Sequence, residues 1–452
     1  MAEERAKFGS KIGVILATAG SAVGLGNVWR FPYMTGENGG AAYIFIYIAC
    51  GIVLGIPCMI AEFLIGRHGA SNTARAYTRL ANGSKWKWIG YLEVLTGFLI
   101  TGYYAVVSGW CLNYVYASIM GELKGDPNYV KDYFVAFSTD PIRPIFWTVV
   151  IFLITHYIIV HGVRNGIEKA SKLMMPTLFI LLLIIVVAAC LLPGASAGIT
   201  FLLKPDFSKV TGDVFLNALG QCFYSMSIAM GCLCTYASYF NRKTNLTISA
   251  IQIGFIDLFV AILAGLMIFP AAFSVGISPD SGPSLIFITL PNVFNQAFSG
   301  APVLGWIIAL LFYALLSLAA LTSLISLHEV NTAFFYEELH ISRKAGAWIV
   351  TLSCAVIGAV CSLSIGQKDT LSLFGKDLFD LFDFVTGQLM LPIGGMLMCV
   401  FVGWVVPQQI VKDELTNWGT LRYHCYSAFV FSMRYVCPLG ILAIMLHQFN
   451  LI

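Results

Sequence analysis

Glycine residues and polar side chains interrupt the first long apolar run of the chain, between Ala17 and Pro32. Gly20, Gly24 and Gly26 permit backbone conformations that a regular helix does not need, and Pro32 has no N–H group to donate. Inside lipid, freed backbone carbonyl groups are tolerated only where protein, water or a ligand satisfies them. The stretch therefore predicts either a broken helix around a binding cavity or a kinked helix whose glycines serve close packing.

Oxygen-bearing side chains occur in two further apolar runs. Asp257 is the acidic residue of one run, and Thr322 and Ser323 are adjacent in the next. Small hard cations such as sodium prefer carboxylate, hydroxyl and carbonyl oxygens, so both patches are candidate ion sites. The alternatives are a buried carboxyl group bonded to a neighbouring helix, and hydroxyl groups that bond back to their own helix.

A broken helix offers partners for both ends of an amino acid. Free N–H groups at helix ends favour anions and free carbonyl groups favour cations. We expect a zwitterion to place its carboxylate near Gly24 to Gly26, where the phenol of Tyr104 could also bind it, unless Tyr104 is an aromatic core residue. A second irregular segment, Gln221 to Gly231, could supply further carbonyl groups, although an unbroken helix with a polar face explains that segment equally well.

Composition excludes several classes of protein. Hydrophobic residues make up 58% of the 452 residues, charged residues 11%, and the mean hydropathy is +0.81, which indicates a polytopic membrane protein. The net charge of +3 gives no reason to expect a nucleic-acid partner. Most of the twelve cysteines lie in apolar runs and, like Cys232-Leu-Cys234, lack metal-ligand spacing, so we expect buried thiols and no metal–thiolate site. No metalloprotease motif or serine elbow is present, so we expect no enzyme.

Apolar runs of about 20 residues, the length that crosses a bilayer, define the fold class. We predict an all-α polytopic membrane protein with eleven spans at residues 11–35, 41–66, 88–119, 144–161, 172–192, 213–240, 247–273, 303–336, 346–364, 378–404 and 421–448. Basic residues concentrate in one set of loops, which places the N-terminus in the cytoplasm and the C-terminus outside. Residues 1–452 form one transmembrane domain. Breaks in spans 1 and 6 predict two inverted halves, 1–192 and 213–404, with 421–448 outside the repeat.

The chain resembles the neurotransmitter:sodium symporter family. The resemblance begins with Gly20 to Pro32, followed by Glu37-Asn-Gly-Gly40 and Gly55-Ile-Pro57, and it continues at Gln221-Cys-Phe-Tyr-Ser, Thr235-Tyr-Ala-Ser-Tyr239, Gly282-Pro-Ser-Leu-Ile-Phe and Leu321-Thr-Ser. It covers essentially the whole chain, and eleven spans are typical of the bacterial amino-acid members, such as the bacterial leucine transporter. Midplane helix breaks within a 5+5 inverted repeat are features of this family itself, so the repeat and the resemblance are one argument.

The resemblance implies a substrate site and two sodium sites. The substrate site would consist of Ala22, Gly24, Gly26, Tyr104, Val107, Tyr224, Ser225, Ser227, Ile228, Met230, Ser323 and Leu327, with Tyr224 as its outer lid. The first sodium site would use the Ala22 carbonyl group, Asn27, Ser225, Asp257 and the substrate carboxylate. The second would use the carbonyl groups of Gly20, Val23 and Ala319 with the hydroxyl groups of Thr322 and Ser323. No organic cofactor and no obligatory protein partner are expected.

The resemblance also implies gates. Arg30 with Asp383 resembles the outer ion pair, and Arg5 with Glu337, near Ser238 and Tyr239, resembles the inner one. Gly166 and Pro176 match a motif that lets the inner end of the fifth span unwind, although ordinary helix punctuation would also explain them.

Departures from the family pattern refine the expected function. Asp257 stands where many members have Asn, and Ala261 stands one turn later, where others have Ser or Glu. A fixed carboxylate would then replace bound chloride. Ala229 replaces a usual Gly, and Glu337 replaces an Asp found in some relatives. We predict a sodium-coupled, chloride-independent symporter for a hydrophobic or aromatic L-amino acid in the bacterial inner membrane. The alternatives are a proton-coupled transporter or antiporter of the same fold, and a membrane sensor that does not transport.

Overall fold

The structure, a computed structural model, describes residues 6–124, 126–277, 285–367, 370–423, 425–449 and 451. The helices of the first half are α1 Lys11–Ala22, α2 Gly26–Glu37, α3 Ala41–Gly69, α4 Thr73–Leu80, α5 Lys85–Met120, α6 Pro127–Ser138, α7 Arg143–Val160, α8 Val163–Cys190 and α9 Ala195–Leu203. Those of the second half are α10 Gly212–Ser225, α11 Cys232–Ala237, α12 Leu246–Ser274, α13 Thr289–Ala297, α14 Pro302–Glu338, α15 Arg343–Gly366, α16 Leu378–Val405, α17 Gln408–Leu415 and α18 Tyr426–Gln448. A small antiparallel hairpin pairs β1 Ser372–Leu373 with β2 Lys376–Asp377.

The membrane-spanning architecture follows from the apolar runs. Among the described residues, nine helices are long and apolar enough to cross a membrane, namely α3, α5, α7, α8, α12, α14, α15, α16 and α18. The pair α1 and α2 forms a tenth candidate, bent by 53°. The predicted sixth span is divided into α10 and α11, two short helices. The all-α polytopic fold is therefore confirmed, while the number of eleven spans stays a prediction.

The first helix breaks where its sequence predicts. Ser10 begins α1, because its hydroxyl group accepts the N–H of Gly13 at 3.0 Å. The helix ends when Val23 becomes extended (φ −72°, ψ 101°), and a wider turn restarts the chain at Gly26. Helix α1 packs against α8, α12 and α14. The break therefore lies inside the bundle, where protein groups replace the partners that lipid lacks.

The second break lies between α10 and α11, at residues 226–231. Ser227 and Ala229 have positive φ angles of 54° and 63°, and Gly231 has one of 74°. The carboxylate of Glu62 on α3 accepts the N–H of Ala229 at 2.5 Å and that of Cys234 at 3.3 Å. The buried Glu62 thus satisfies N–H groups that the break frees. A negative charge is also favourable at the start of α11, because the N-terminal end of a helix carries a partial positive charge.

Most helix boundaries lie within three residues of the prediction, and two helix starts differ by more. Helix α8 begins at Val163 instead of residue 172, because the buried Glu168 has partners in the interior: its carboxylate accepts the N–H of Gly9 at 2.6 Å and the hydroxyl of Ser10 at 2.8 Å. Pro176 lies inside this continuous helix. Helix α18 begins at Tyr426 instead of residue 421. The connecting helices α4, α6, α9, α13 and α17 were outside the predicted spans, because each is too short to cross a bilayer.

Candidate substrate and sodium site

A polar cluster joins the first break to α10 and α12. The Asp257 carboxylate accepts the amide group of Asn27 at 2.8 Å and the hydroxyl of Ser225 at 3.1 and 3.2 Å. Tyr47 on α3 donates to the same carboxylate at 3.3 Å. Asp257 and Asn27 are fully buried. Because donors surround a fully buried carboxylate, the cluster could hold a charge, and a cation could replace one of the donors.

Asn27 has a further role in this cluster. Its side-chain oxygen accepts the N–H of Gly24 at 3.1 Å, while its nitrogen faces Asp257. Gln221 donates to the carbonyl group of Gly26 at 3.1 Å, which also accepts the backbone N–H of Phe31. For Asn27 to ligate an ion through its side-chain oxygen, the amide group would have to rotate.

A second polar cluster joins α1 to α14. The Thr322 hydroxyl donates to the carbonyl group of Ala319 at 2.9 Å and lies 3.4 Å from that of Val23. Ser323 lies 3.4 Å from the carbonyl oxygen of Ser21. Gly20 allows this approach, since a Cβ atom at that position would lie 3.3 Å from the Cβ atom of Thr322. The predicted second ion patch is therefore a meeting of hydroxyl and carbonyl oxygens from two helices.

A cavity of about 40 Å³ lies between the two clusters. Ten residues of the predicted substrate site line it: Ala22, Gly24, Gly26, Tyr104, Tyr224, Ser225, Ser227, Met230, Ser323 and Leu327. Gly24 is required here, since a Cβ atom at that position would collide with the Ser323 hydroxyl and lie 3.2 Å from that of Tyr104. Ile228 is instead fully buried within the break. The cavity has room for a few water-sized groups, so a larger ligand requires its walls to move.

A larger cavity of about 330 Å³, called the vestibule below, lies next to the first. Four residues line both cavities: Leu25, Gly26, Tyr104 and Tyr224. Val107, which was predicted for the substrate site, lines the vestibule and not the smaller cavity. Arg30 and Asp383 also line the vestibule. Among the described residues, these two are not paired, since no nitrogen of Arg30 lies within 4.0 Å of an Asp383 carboxylate oxygen. The Arg30 guanidinium carbon lies 4.6 Å from the centre of the Tyr224 ring.

The opposite end of α1 is packed shut. Phe8 is buried among Tyr236, Tyr239 and Phe240, and its N–H donates to the carbonyl group of Tyr239 at 3.3 Å. The Tyr239 hydroxyl donates to Glu329 at 2.6 Å. The bundle is thus open at the vestibule and closed at this end.

The predicted inner gate is only partly described. Glu337 accepts the backbone N–H of Asn72 at 2.8 Å and its side-chain amide at 3.0 Å. Ser238 donates to the carbonyl group of Thr235 at 2.5 Å. Arg5 lies outside the described residues.

Sequence reasoning missed several polar residues that the fold adds to these clusters. The Ser21 hydroxyl donates to Ser326 at 2.8 Å, and its carbonyl group accepts Ser227 at 2.9 Å. Tyr47 donates to Asp257, and Gln221 donates to the carbonyl group of Gly26 beside it. Ser21 lies inside the glycine-rich stretch and could have been suspected. Tyr47 stands in an aromatic apolar run that gives no signal.

Comparisons with known proteins agree on the class of molecule. The family model described as the sodium:neurotransmitter symporter family matches residues 5–130 and 128–451. An uncharacterised sodium-dependent transporter of Bacillus subtilis (strain 168), YhdH, is 34% identical over 455 residues, covering 100% of both chains. Another, from Haemophilus influenzae, is 35% identical over 460 residues, covering 99% of this chain and 98% of its own.

A solved structure agrees with the fold. The crystal structure of MhsT in complex with L-phenylalanine matches with a TM-score of 0.88 and 38% identity, covering 98% of this chain and 99% of that chain. The chain is a sodium-dependent membrane transporter that belongs to the sodium:neurotransmitter symporter family.

Proposed function

We propose that the protein is a symporter that couples the entry of sodium to uptake of a hydrophobic or aromatic L-amino acid, and that it works without chloride. The observation that carries the proposal is the cavity between two oxygen-rich clusters, each of which joins the broken first span to a different helix. One cluster contains a buried carboxylate and the other contains only neutral oxygens. Such ligand sets suit small monovalent cations.

The first sodium ion would bind between the Ala22 carbonyl group and the side chains of Asn27, Ser225 and Asp257. Ala22 and Ser225 also line the substrate cavity. A substrate carboxylate in that cavity could reach the same ion as a further ligand. Ion and substrate would then stabilise each other, which is the physical basis of their coupling.

The second sodium ion would use the carbonyl groups of Gly20, Val23 and Ala319 with the hydroxyl groups of Thr322 and Ser323. This ion would join α1 to α14. Its binding would hold α1 in the position that keeps the Phe8 end closed. Loss of the ion would allow that end to open, with Pro176 and Gly166 providing the weak part of α8.

The substrate would lie with its carboxylate near Gly24 to Gly26 and Tyr104, and its side chain near Met230 and Leu327. The part of the wall that would face the side chain is apolar, which favours hydrophobic over acidic or basic substrates. MhsT has been crystallised with L-phenylalanine, and its similarity supports an aromatic substrate here. Met230 and Leu327 line the smaller cavity, so their side chains would limit the size of the substrate side chain that fits there.

Alternating access would follow from the two ends of the bundle. With the Phe8 end in the cytoplasm, the vestibule would face outside, as expected of an outward-facing state. Arg30 and Asp383 would approach each other above the substrate as Tyr224 closes. On the opposite side, Arg5, Glu337, Ser238 and Tyr239 would form the inner gate. Two inverted halves, 1–192 and 213–404, would give the two states similar energies.

The buried carboxylate supports independence from chloride. Asp257 supplies a fixed negative charge beside the first ion site, and Ala261, one turn along α12, is fully buried and offers no polar group. A bound anion would therefore add a second negative charge next to Asp257, which electrostatic repulsion opposes.

Two other functions make different predictions. In a proton-coupled transporter or antiporter, Asp257 would carry the proton, and a pH gradient would drive uptake without sodium. A sensor that does not transport would bind a ligand but would not move it across the membrane. The same transport assay separates all three.

The test uses protein reconstituted in liposomes and labelled L-phenylalanine, L-leucine, L-tryptophan, L-tyrosine and L-methionine. We expect an inward sodium gradient to drive accumulation of at least one of them, equally in chloride and gluconate. Liposomes without protein and a potassium gradient of the same size are the controls. Absence of sodium-stimulated binding and uptake for all five amino acids would refute the symporter, and uptake driven by pH alone would favour proton coupling.

A further inference from the structure

Three buried cysteines from distant parts of the sequence meet at one point. Cys58 of α3, Cys399 of α16 and Cys437 of α18 are each 0% exposed. Their Sγ atoms lie within 4.8 Å of one another, and those of Cys58 and Cys399 are 3.6 Å apart. The Ser432 hydroxyl lies 3.2 Å from the Cys437 sulfur. No two of the three cysteines are neighbours in the sequence, so their spacing gave no sign of a metal site.

We propose that these three sulfur atoms form a binding site for one soft monovalent cation, Cu(I). Thiolate sulfur selects soft ions such as Cu(I) over sodium, magnesium or calcium, which prefer oxygen. With metal–sulfur bonds of about 2.3 Å, three ligands around one ion lie roughly 3.8 to 4.0 Å apart. The observed sulfur positions therefore need only small side-chain adjustments to reach that arrangement.

The number of ligands favours a monovalent ion. Structural zinc sites use four protein ligands, whereas among the described residues this group contains three. A cysteine binds a metal as its thiolate, so each of the three thiols gives up its proton to solvent as its metal–sulfur bond forms. Three protons leave, three metal–thiolate bonds form, and no oxidation or reduction occurs.

The site would connect the helices that hold the second break. Cys58 lies one turn before Glu62, which accepts the N–H group of Ala229. Cys399 lies one turn after Gly395, where an added Cβ atom would collide with the ring of Phe223 on α10. A bound ion would fix the distance between α3 and α16 on the two sides of the break. We therefore expect the loaded protein to transport more slowly.

The experiment measures copper binding to the full-length protein in detergent. Cys425 is exposed, so a Cys425→Ser background removes a competing surface thiol. The protein is incubated without oxygen with the copper(I) acetonitrile complex, desalted, and analysed for copper and protein. We expect one copper per protein and an X-ray absorption spectrum with three sulfur neighbours. Less than equimolar copper, or a shell without three sulfurs, would overturn the proposal.

Single variants in the same background locate the ion. Cys58→Ala, Cys399→Ala and Cys437→Ala should each weaken copper binding by at least about 100-fold, since loss of a mere supporting group already costs 10–100-fold. Cys361→Ala, which removes another fully buried thiol on α15, is the matched control and should bind like the background protein. Equal binding in all four variants would refute the site. The absorption spectrum of the background protein decides the matter if an alanine variant fails to fold.

Discussion

The substitution Asp257→Asn tests the proposed first ion site most directly. The Asp257 carboxylate is fully buried and accepts hydrogen bonds from Asn27, Ser225 and Tyr47 at 2.8 to 3.3 Å. Asparagine has nearly the same size, so the packing is kept while the charge is lost. The introduced amide nitrogen is itself a donor, so it would face donor groups that now bond to the Asp257 carboxylate and could not accept from them. The change therefore affects electrostatics and hydrogen bonding at one position.

The expected magnitude follows from the loss of one charge beside a cation. Two opposite unit charges about 4 Å apart attract by roughly 4 kcal/mol at an effective dielectric constant near 20. The amide oxygen of Asn can still ligate the ion, which offsets part of this loss. A remaining deficit of about 3 kcal/mol corresponds to a roughly 100-fold weaker affinity for sodium.

The assay is amino-acid uptake into liposomes as a function of sodium concentration, in chloride and in gluconate. We expect the unmutated protein to give the same curve in both anions. Asp257→Asn should need about 100-fold more sodium, or should recover activity only in chloride, which could then supply the missing charge. Asp213→Asn is the matched control, because it makes the same change on α10 at a side chain that is 75% exposed.

Two results would refute this reasoning. An unmutated protein that requires chloride would show that Asp257 does not replace the anion. An Asp257→Asn variant with unchanged sodium dependence in gluconate would show that its carboxylate is no sodium ligand. The Asp213→Asn control excludes a general effect of lowering the acidic charge.

Three further variants test neighbouring features. Thr322→Val removes the hydroxyl group at the second cluster, so sodium affinity should fall about tenfold, the value of one hydrogen-bonding group; an unchanged sodium titration would contradict that site. Ala229→Gly relieves a positive φ that costs about 1 to 2 kcal/mol, so thermal unfolding should occur at a higher temperature, and a lower one would contradict the strain. Met230→Ala widens the cavity, so competition assays should shift towards larger substrates; an unchanged order of inhibition would show that Met230 does not limit size.

The membrane fold could be predicted from sequence because a bilayer imposes simple rules. A span needs about 20 apolar residues, and backbone groups freed inside lipid need partners. The break near Gly24 was therefore visible from its glycines, and the structure bends the helix there by 53°. The second break was ambiguous from the sequence, because Ser and Ala rarely adopt positive φ angles, and residues 227 and 229 therefore did not predict a left-handed backbone. Only the packing of Glu62 against this segment explains why it is tolerated.

The start of α8 illustrates a different limit. Charged residues such as Glu168 end an apolar run, so hydropathy placed the helix start near residue 172. In the structure, Glu168 bonds to Gly9 and Ser10 of a remote segment, and the helix continues through these polar residues. A hydropathy pattern reports the average environment of a stretch. It does not report which individual partners satisfy each charge.

The sequence by itself determined the class of the protein and its apolar spans, because both depend on local composition. It also suggested most residues of the proposed site, because the motifs of the family resemblance are spread along the whole chain. Only the tertiary structure decided which side chains that are remote in the sequence come into contact. It joined Tyr47 to Asp257, and Cys58 to Cys399 and Cys437. Such contacts depend on how each helix is rotated about its axis and shifted along it relative to its neighbours. Packing sets both quantities, and no single run of residues encodes them.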